Sequence, residues 1–290
     1  MSIVDAIEKA KAMAKQRVSA EPRALAHEAP VRTVVSAPEV TAPHPFVEPV
    51  SFDVVIPYDI AVCASNHVNV PGVETDFAKL ASAPYRMLRT LILQRCRTNG
   101  WSSLAITSPG PGEGKSVSAI NLAISIAREG NYDVFLIDLD MRAPSVAQYL
   151  GLSPRVDIVD YFEGNASPRD VFFTIGIDRL AVAASAGSCD HSSELLGNGR
   201  LEDLLVFIRR GAPNPLIIID LPPIVNADDA LVVAPKVDAT ALIVSQGHTR
   251  RDGLQRALGL LSAHSLAGVI LNRSQESLGS DYYGQYGAQR

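Results

Sequence analysis

Residues 108–116 read Ser-Pro-Gly-Pro-Gly-Glu-Gly-Lys-Ser, so three glycines precede a lysine and a hydroxyl. Glycines let a turn bring its backbone N–H groups close to an anion, and a helix starting there adds the positive end of its dipole. The chemistry is phosphate binding. Gly110, Gly112, Glu113, Gly114 and Val117 would cradle a nucleotide, Lys115 would reach its outer phosphates, and Ser116 would offer a hydroxyl to Mg²⁺. Pro109 stands where the usual G-x-x-x-x-G-K-[ST] pattern has its first glycine.

Three acids could complete such a site. Asp138 and Asp140 follow the apolar run Val134 to Ile137, and Asp220 ends the run Ile217 to Ile219. A carboxylate placed directly after a buried strand and facing a phosphate loop is a common holder of Mg²⁺. Taken singly, each acid reads equally well as a strand-ending cap. Arg142, two residues after Asp140, is a further phosphate ligand or a partner for that acid. The segment 281–287, Asp-Tyr-Tyr-Gly-Gln-Tyr-Gly, offers the phenols of Tyr282, Tyr283 and Tyr286 on a glycine-rich, polar tail. His248 follows a strand and could approach the nucleotide, but reads more readily as a solvated loop histidine.

The elements that must position these groups follow from periodicity. Short apolar strands are expected at Leu104–Thr107, Val134–Asp138, Leu180–Ala183, Leu216–Asp220, Ala239–Val244 and Gly268–Asn272. Helices are expected at Ser116–Arg128, closed by Gly130, and at Glu202–Arg210, Ala227–Ala234 and Arg251–Ser262. Such alternation predicts an α/β fold, a doubly wound and mostly parallel sheet with helices on both faces. Ligands of such folds gather beyond the C-terminal ends of the strands, where these polar residues fall.

Eight prolines between Pro22 and Pro71 interrupt any period ahead of residue 73. The expected organisation is therefore a weakly amphipathic helix (Ser2 to Val18) and a disordered proline-rich linker over 1–72, a nucleotide-binding domain over 73–278, and a flexible tail over 279–290. A hydrophobic content of 47% suffices for a sizeable core, and a net charge of −5 argues against nucleic-acid binding. Cys63, Cys96 and Cys189 are too scattered for a disulfide framework or zinc site and read as buried apolar residues. No apolar run approaches the ~20 residues of a membrane span.

From Tyr85 to Arg290 the sequence resembles the bacterial tyrosine kinases of polysaccharide assembly, within the MinD/ParA-like group of P-loop proteins. The residues that carry the resemblance are Ser108 to Ser116, Leu136 to Pro144, Ile218 to Pro223, Ser193-Glu194-Leu195-Leu196 and the terminal tyrosines. The resemblance implies a protein-tyrosine autokinase that uses ATP and Mg²⁺ and modifies Tyr282, Tyr283 or Tyr286, usually in trans. It assigns phosphate and metal binding to Lys115 and Ser116, support of Mg²⁺ to Asp140 and Asp220, and the role of base to Asp138. It further implies a role in capsule or exopolysaccharide export, a membrane chain-length regulator as activator, a homo-oligomeric ring, a cognate phosphatase, and a cytoplasmic place at the inner face of the membrane.

The ring helix of that family has the form Glu-x-x-Arg-x-x-Arg. Here Ala83 takes the place of the acid, leaving Arg86 and Arg89 as the oligomer contacts, and Pro84 suits a helix only in its first turn. Two other readings stay open. A positioning ATPase of the MinD/ParA type would carry a second lysine where Gly110 stands. A non-catalytic nucleotide-binding regulator of the export complex would not require all of Lys115, Asp138, Asp140 and Asp220.

Overall fold

The computed structural model describes Phe52 and residues 54–274. The Ser2–Val18 segment and Tyr282, Tyr283 and Tyr286 lie outside the described residues. Helices α1 (Ile60–Ser65) and α2 (Asp76–Asn99) precede strand β1 (Ser103–Thr107), helix α3 (Lys115–Ala127) and strand β2 (Asp133–Asp138). Helices α4 (Val146–Leu150) and α5 (Ile158–Glu163) lead to β3 (Phe173–Thr174) and β4 (Leu180–Ala183). Then follow α6 (Ser192–Gly197), α7 (Arg200–Gly211), β5 (Pro215–Asp220), α8 (Asp229–Val233), β6 (Ala239–Ser245), α9 (Arg251–Leu260) and β7 (Leu266–Asn272).

The seven strands lie in the order β3-β4-β2-β5-β1-β6-β7, and only the β3–β4 pair is antiparallel. Strand alternation sends successive side chains to opposite faces. Leu104, Leu136, Ile218 and Ile243 therefore join one core with Cys63, Ile92, Ile120 and Leu150 from α1 to α4. Phe135, Ile137, Ile219 and Val244 join a second core with Phe162, Leu196, Leu205, Val233 and Leu254 from α5 to α9. Each central strand is buried on both faces, which is why it reads as an unbroken apolar run.

All six expected strands are present, and β3 is added at an edge. Its two residues are too few to carry a period. The four expected helices are also found, with Gly130 at φ +81° in the turn after α3. The three cysteines are free and buried.

Two expectations are corrected. Residues 54–72 belong to the folded domain. The backbone of 54–56 extends the sheet at β3, through Ile56 N–H to Thr174 O and Thr174 N–H to Val54 O, both 2.9 Å. Asp59 caps α1, and Cys63, Val68 and Val70 are core residues. These pieces are held by tertiary contacts, so the prolines beside them hide no local period. Pro84, in turn, is the ninth residue of α2 and not part of its first turn. The helix starts earlier because Thr75 caps it, its hydroxyl accepting from Ala78 N–H at 3.1 Å.

Candidate nucleotide site

Strand register brings the carboxylates together. Asp138 is the register partner of Asp220 across β2 and β5, and Ile106 of β1 pairs with Asp220 on the other side. The loop that leaves β1 therefore starts beside both acids. Thr107 Oγ1 donates to Pro222 O at 2.7 Å, and Ile224 N–H donates to Ser108 O at 2.9 Å, tying the loop to the end of β5.

Gly112 and Gly114 have φ of +71° and +89°, a region where an L side chain is strained, and Gly114 is the N-cap of α3. A Cβ on Gly114 would also strike the Asn272 amide. Asn272 Nδ2 donates to Glu113 O at 2.9 Å, and His248 Nε2 lies 3.2 Å from Pro111 O. The Glu113 carboxyl is folded inward at 3% exposure; burial raises its pKa, against hydrogen bonds from Thr249 and the Gly110 N–H. The loop is thus braced by Asn272, His248 and Thr249, which local reading of the loop missed. Only the position of Asn272 and of residues 248–249 just beyond strands offered a signal.

At the head of α3, Lys115 Nζ lies 2.5 Å from Asp140 Oδ2, 3.7 Å from Asp220 Oδ2 and 3.1 Å from Ser116 Oγ. Burial works against its charge, but Asp220 and Asp140 outweigh burial and push Lys115 up to about 12. Val117, half-buried, sits in the same first turn.

The acids differ in their surroundings. Asp138 is fully buried and accepts three backbone N–H bonds: Asp140 at 3.1 Å on Oδ1, and Ser145 and Val146 at 3.0 Å on Oδ2. Burial and the Asp220 charge still raise its proton affinity, opposed by those N–H groups and by Lys115. Asp220 is equally buried, and its oxygens face only the Ser116 hydroxyl and the Lys115 ammonium, the latter at 3.7 Å. Burial raises its pKa too, with Lys115 pulling the other way. A buried carboxylate with so few donors is what a hard cation takes up. Ser116, Asp140 and Asp220 could offer an all-oxygen donor set of the kind Mg²⁺ takes. No group of three or more acidic, His or Cys ligands that could hold a metal gathers among the described residues. That suits an ion that keeps waters and phosphate oxygens around one or two carboxylates.

Arg142 is not turned to the loop. Its Nε lies 3.1 Å from Asp229 Oδ2 and 3.3 Å from Ser192 Oγ, and its Nη2 2.9 Å from Asp228 Oδ1, so it joins α6 to the start of α8. Arg89 is also engaged internally, 2.9 Å from Glu129 and donating to Ser125 O at 3.0 Å. Arg86, exposed, reaches Ser82 Oγ at 3.4 Å. No helix among the described residues is long and apolar enough to cross a membrane.

Residues 104–284 match the model of the CobQ/CobB/MinD/ParA nucleotide-binding domain. The chain is 31% identical over 215 residues to the tyrosine-protein kinase YwqD of Bacillus subtilis, covering 73% of this chain and 89% of that one. It is 30% identical over 213 residues to the tyrosine-protein kinase CpsD of Streptococcus agalactiae, covering 72% and 90%. The solved kinase domain of the Escherichia coli tyrosine kinase ETK superposes with a TM-score of 0.60 at 26% identity, over 67% of this chain and 77% of that one. The chain belongs to the MinD/ParA-type nucleotide-binding proteins and, among them, to the bacterial tyrosine-protein kinases.

Proposed function

We propose that this chain transfers the γ-phosphoryl group of ATP to its own tyrosines Tyr282, Tyr283 and Tyr286, in trans between copies, and so regulates capsule or exopolysaccharide export. The observation that carries the reading is the Lys115 ammonium set between Asp140 and Asp220 at the head of α3, directly after a glycine loop.

In this reading the loop N–H groups from Gly110 to Val117 hold the phosphates, and Lys115 exchanges its carboxylate partners for the outer phosphate oxygens. Ser116, Asp140 and Asp220 would hold Mg²⁺, which when bound would supply positive charge against the phosphates. Asp138 is the proposed base. The phenol oxygen forms the new P–O bond, the bond to the ADP oxygen breaks, and the phenolic proton passes to the Asp138 carboxylate. A phenol of pKa ~10 needs such an acceptor, and burial favours the protonated product on Asp138. Arg142 positions α6 and α8 around the site.

We take the folded domain to run from about residue 54, with the tail beyond it as acceptor. The family resemblance supports a membrane chain-length regulator as activator, a self-assembled ring and a reversing phosphatase. Phosphopeptide mapping of the protein from its own cells, beside the Lys115→Met variant, tests the reading. Tail phosphotyrosine that vanishes in the variant is the expected result; an unmodified tail in both would leave a nucleotide-binding regulator instead.

A further inference from the structure

We propose that α2 and α3 frame a second anion site, built for a phosphate monoester and separate from the nucleotide loop. A cavity of about 240 Å³ lies between them, lined by three guanidinium-bearing residues, Arg86, Arg89 and Arg128, with Tyr85, Asn121 and Ser125. Ser125 is ten residues beyond Lys115, about 15 Å along the helix, so an anion here is no part of the nucleotide.

Two of the three guanidinium groups in this cavity have no carboxylate partner among the described residues. Only Arg89 has a carboxylate partner among the described residues, Glu129 at 2.9 Å. Arg86 touches the neutral Ser82 hydroxyl, and no acid among the described residues stands within ion-pair distance of Arg128. Arg89 is already fixed by Glu129 and the Ser125 carbonyl, so little side-chain entropy is lost when it binds.

Guanidinium forks match phosphate oxygens pairwise, and a dianion offsets the two unpaired arginines where a single carboxylate would not. A cavity of 240 Å³ is larger than a bare oxyanion fills. Ile124 and the Tyr85 ring line the same space and suit the organic part of an ester. The ester has two possible sources: a phosphotyrosine of the tail, from this or a second copy, or a soluble phosphate ester.

The test is calorimetric titration of the full chain, saturated with Mg-ADP, with phenyl phosphate. It needs no kinase turnover, so its failure is distinct from failure of the autokinase reading. Binding is expected, weakened about tenfold or more by Arg86→Ala and by Arg128→Ala, both surface substitutions, and weakened by added salt. No binding, competition by Mg-ADP, or an affinity untouched by both substitutions would overturn the proposal, even if those variants changed the oligomeric state. A phosphotyrosine peptide of residues 279–290 that binds more tightly than phenyl phosphate identifies the tail as source; a peptide that binds no better identifies a soluble ester.

Discussion

Lys115 Nζ stands 2.5 Å from Asp140 Oδ2, and this contact ties the first turn of α3 to the chain just beyond β2. The same ammonium is the nearest cation to Asp220. Lys115→Met should abolish tail phosphorylation, a loss of at least about 10²-fold in rate. It should also destabilise the fold by on the order of 3 kcal/mol, because two buried carboxylates lose their counterion. Burial already makes Asp220 hold its proton more readily folded than unfolded, and losing Lys115 strengthens this, so stability falls as pH rises and the loss is larger at pH 8 than at pH 6. Urea unfolding at the two pH values measures it.

Asp220→Asn separates metal binding from folding. Asp220 accepts no backbone N–H bond, Asn keeps an oxygen for Ser116 and Lys115, and the Asp220 charge faces Asp138 and Asp140. The variant should keep the wild-type Tm without Mg²⁺, or exceed it by a few degrees. Mg-ADP should raise the wild-type stability by about 2.7 kcal/mol at a hundredfold excess over Kd, and the variant by much less. An equal gain in both would remove Asp220 from the metal site.

Arg142→Ala should cost about 1–3 kcal/mol, because Asp229 is 1% exposed at its side chain and loses its partner. The double variant with Asp229→Asn should recover most of that loss. Double-mutant unfolding measurements give the coupling directly; additive losses would count against the pair.

Pro84 interrupts the hydrogen bonding inside α2 while pointing to solvent. Pro84→Ala should stabilise the domain by roughly 1–3 kcal/mol in denaturant unfolding.

Burial pushes the Cys63 and Cys96 thiols up to about 11, with Asp59 and Asp238 respectively adding to it. An unfolded thiol releases its proton near 9, so between pH 9 and 11 the folded state binds more protons and stability falls. The slope is about 1.4 kcal/mol per pH unit for each thiol. Thermal melts across pH 8 to 10.5 measure it, and Cys63→Ala with Cys96→Ala should flatten the curve.

The chain's own order of residues determined the phosphate loop, the six main strands and the three acids that end or follow them. Each is a local signal: a glycine run before Lys115, an unbroken apolar run through Ile219, one carboxylate at its end. Only the folded structure decided how they meet. Strand register set Asp138 opposite Asp220, and the order β2-β5-β1 placed the loop beside both. Asn272 and His248 brace that loop from more than a hundred residues away. Arg142, read as a phosphate ligand or a partner for Asp140, is held instead by Asp228, Asp229 and Ser192, which lie far along the chain. Residues 54–72 were hidden for the same reason, since short elements fixed by distant packing leave no period in the chain; the place of Pro84 follows instead from a local cap, Thr75, that starts α2 eight residues before it.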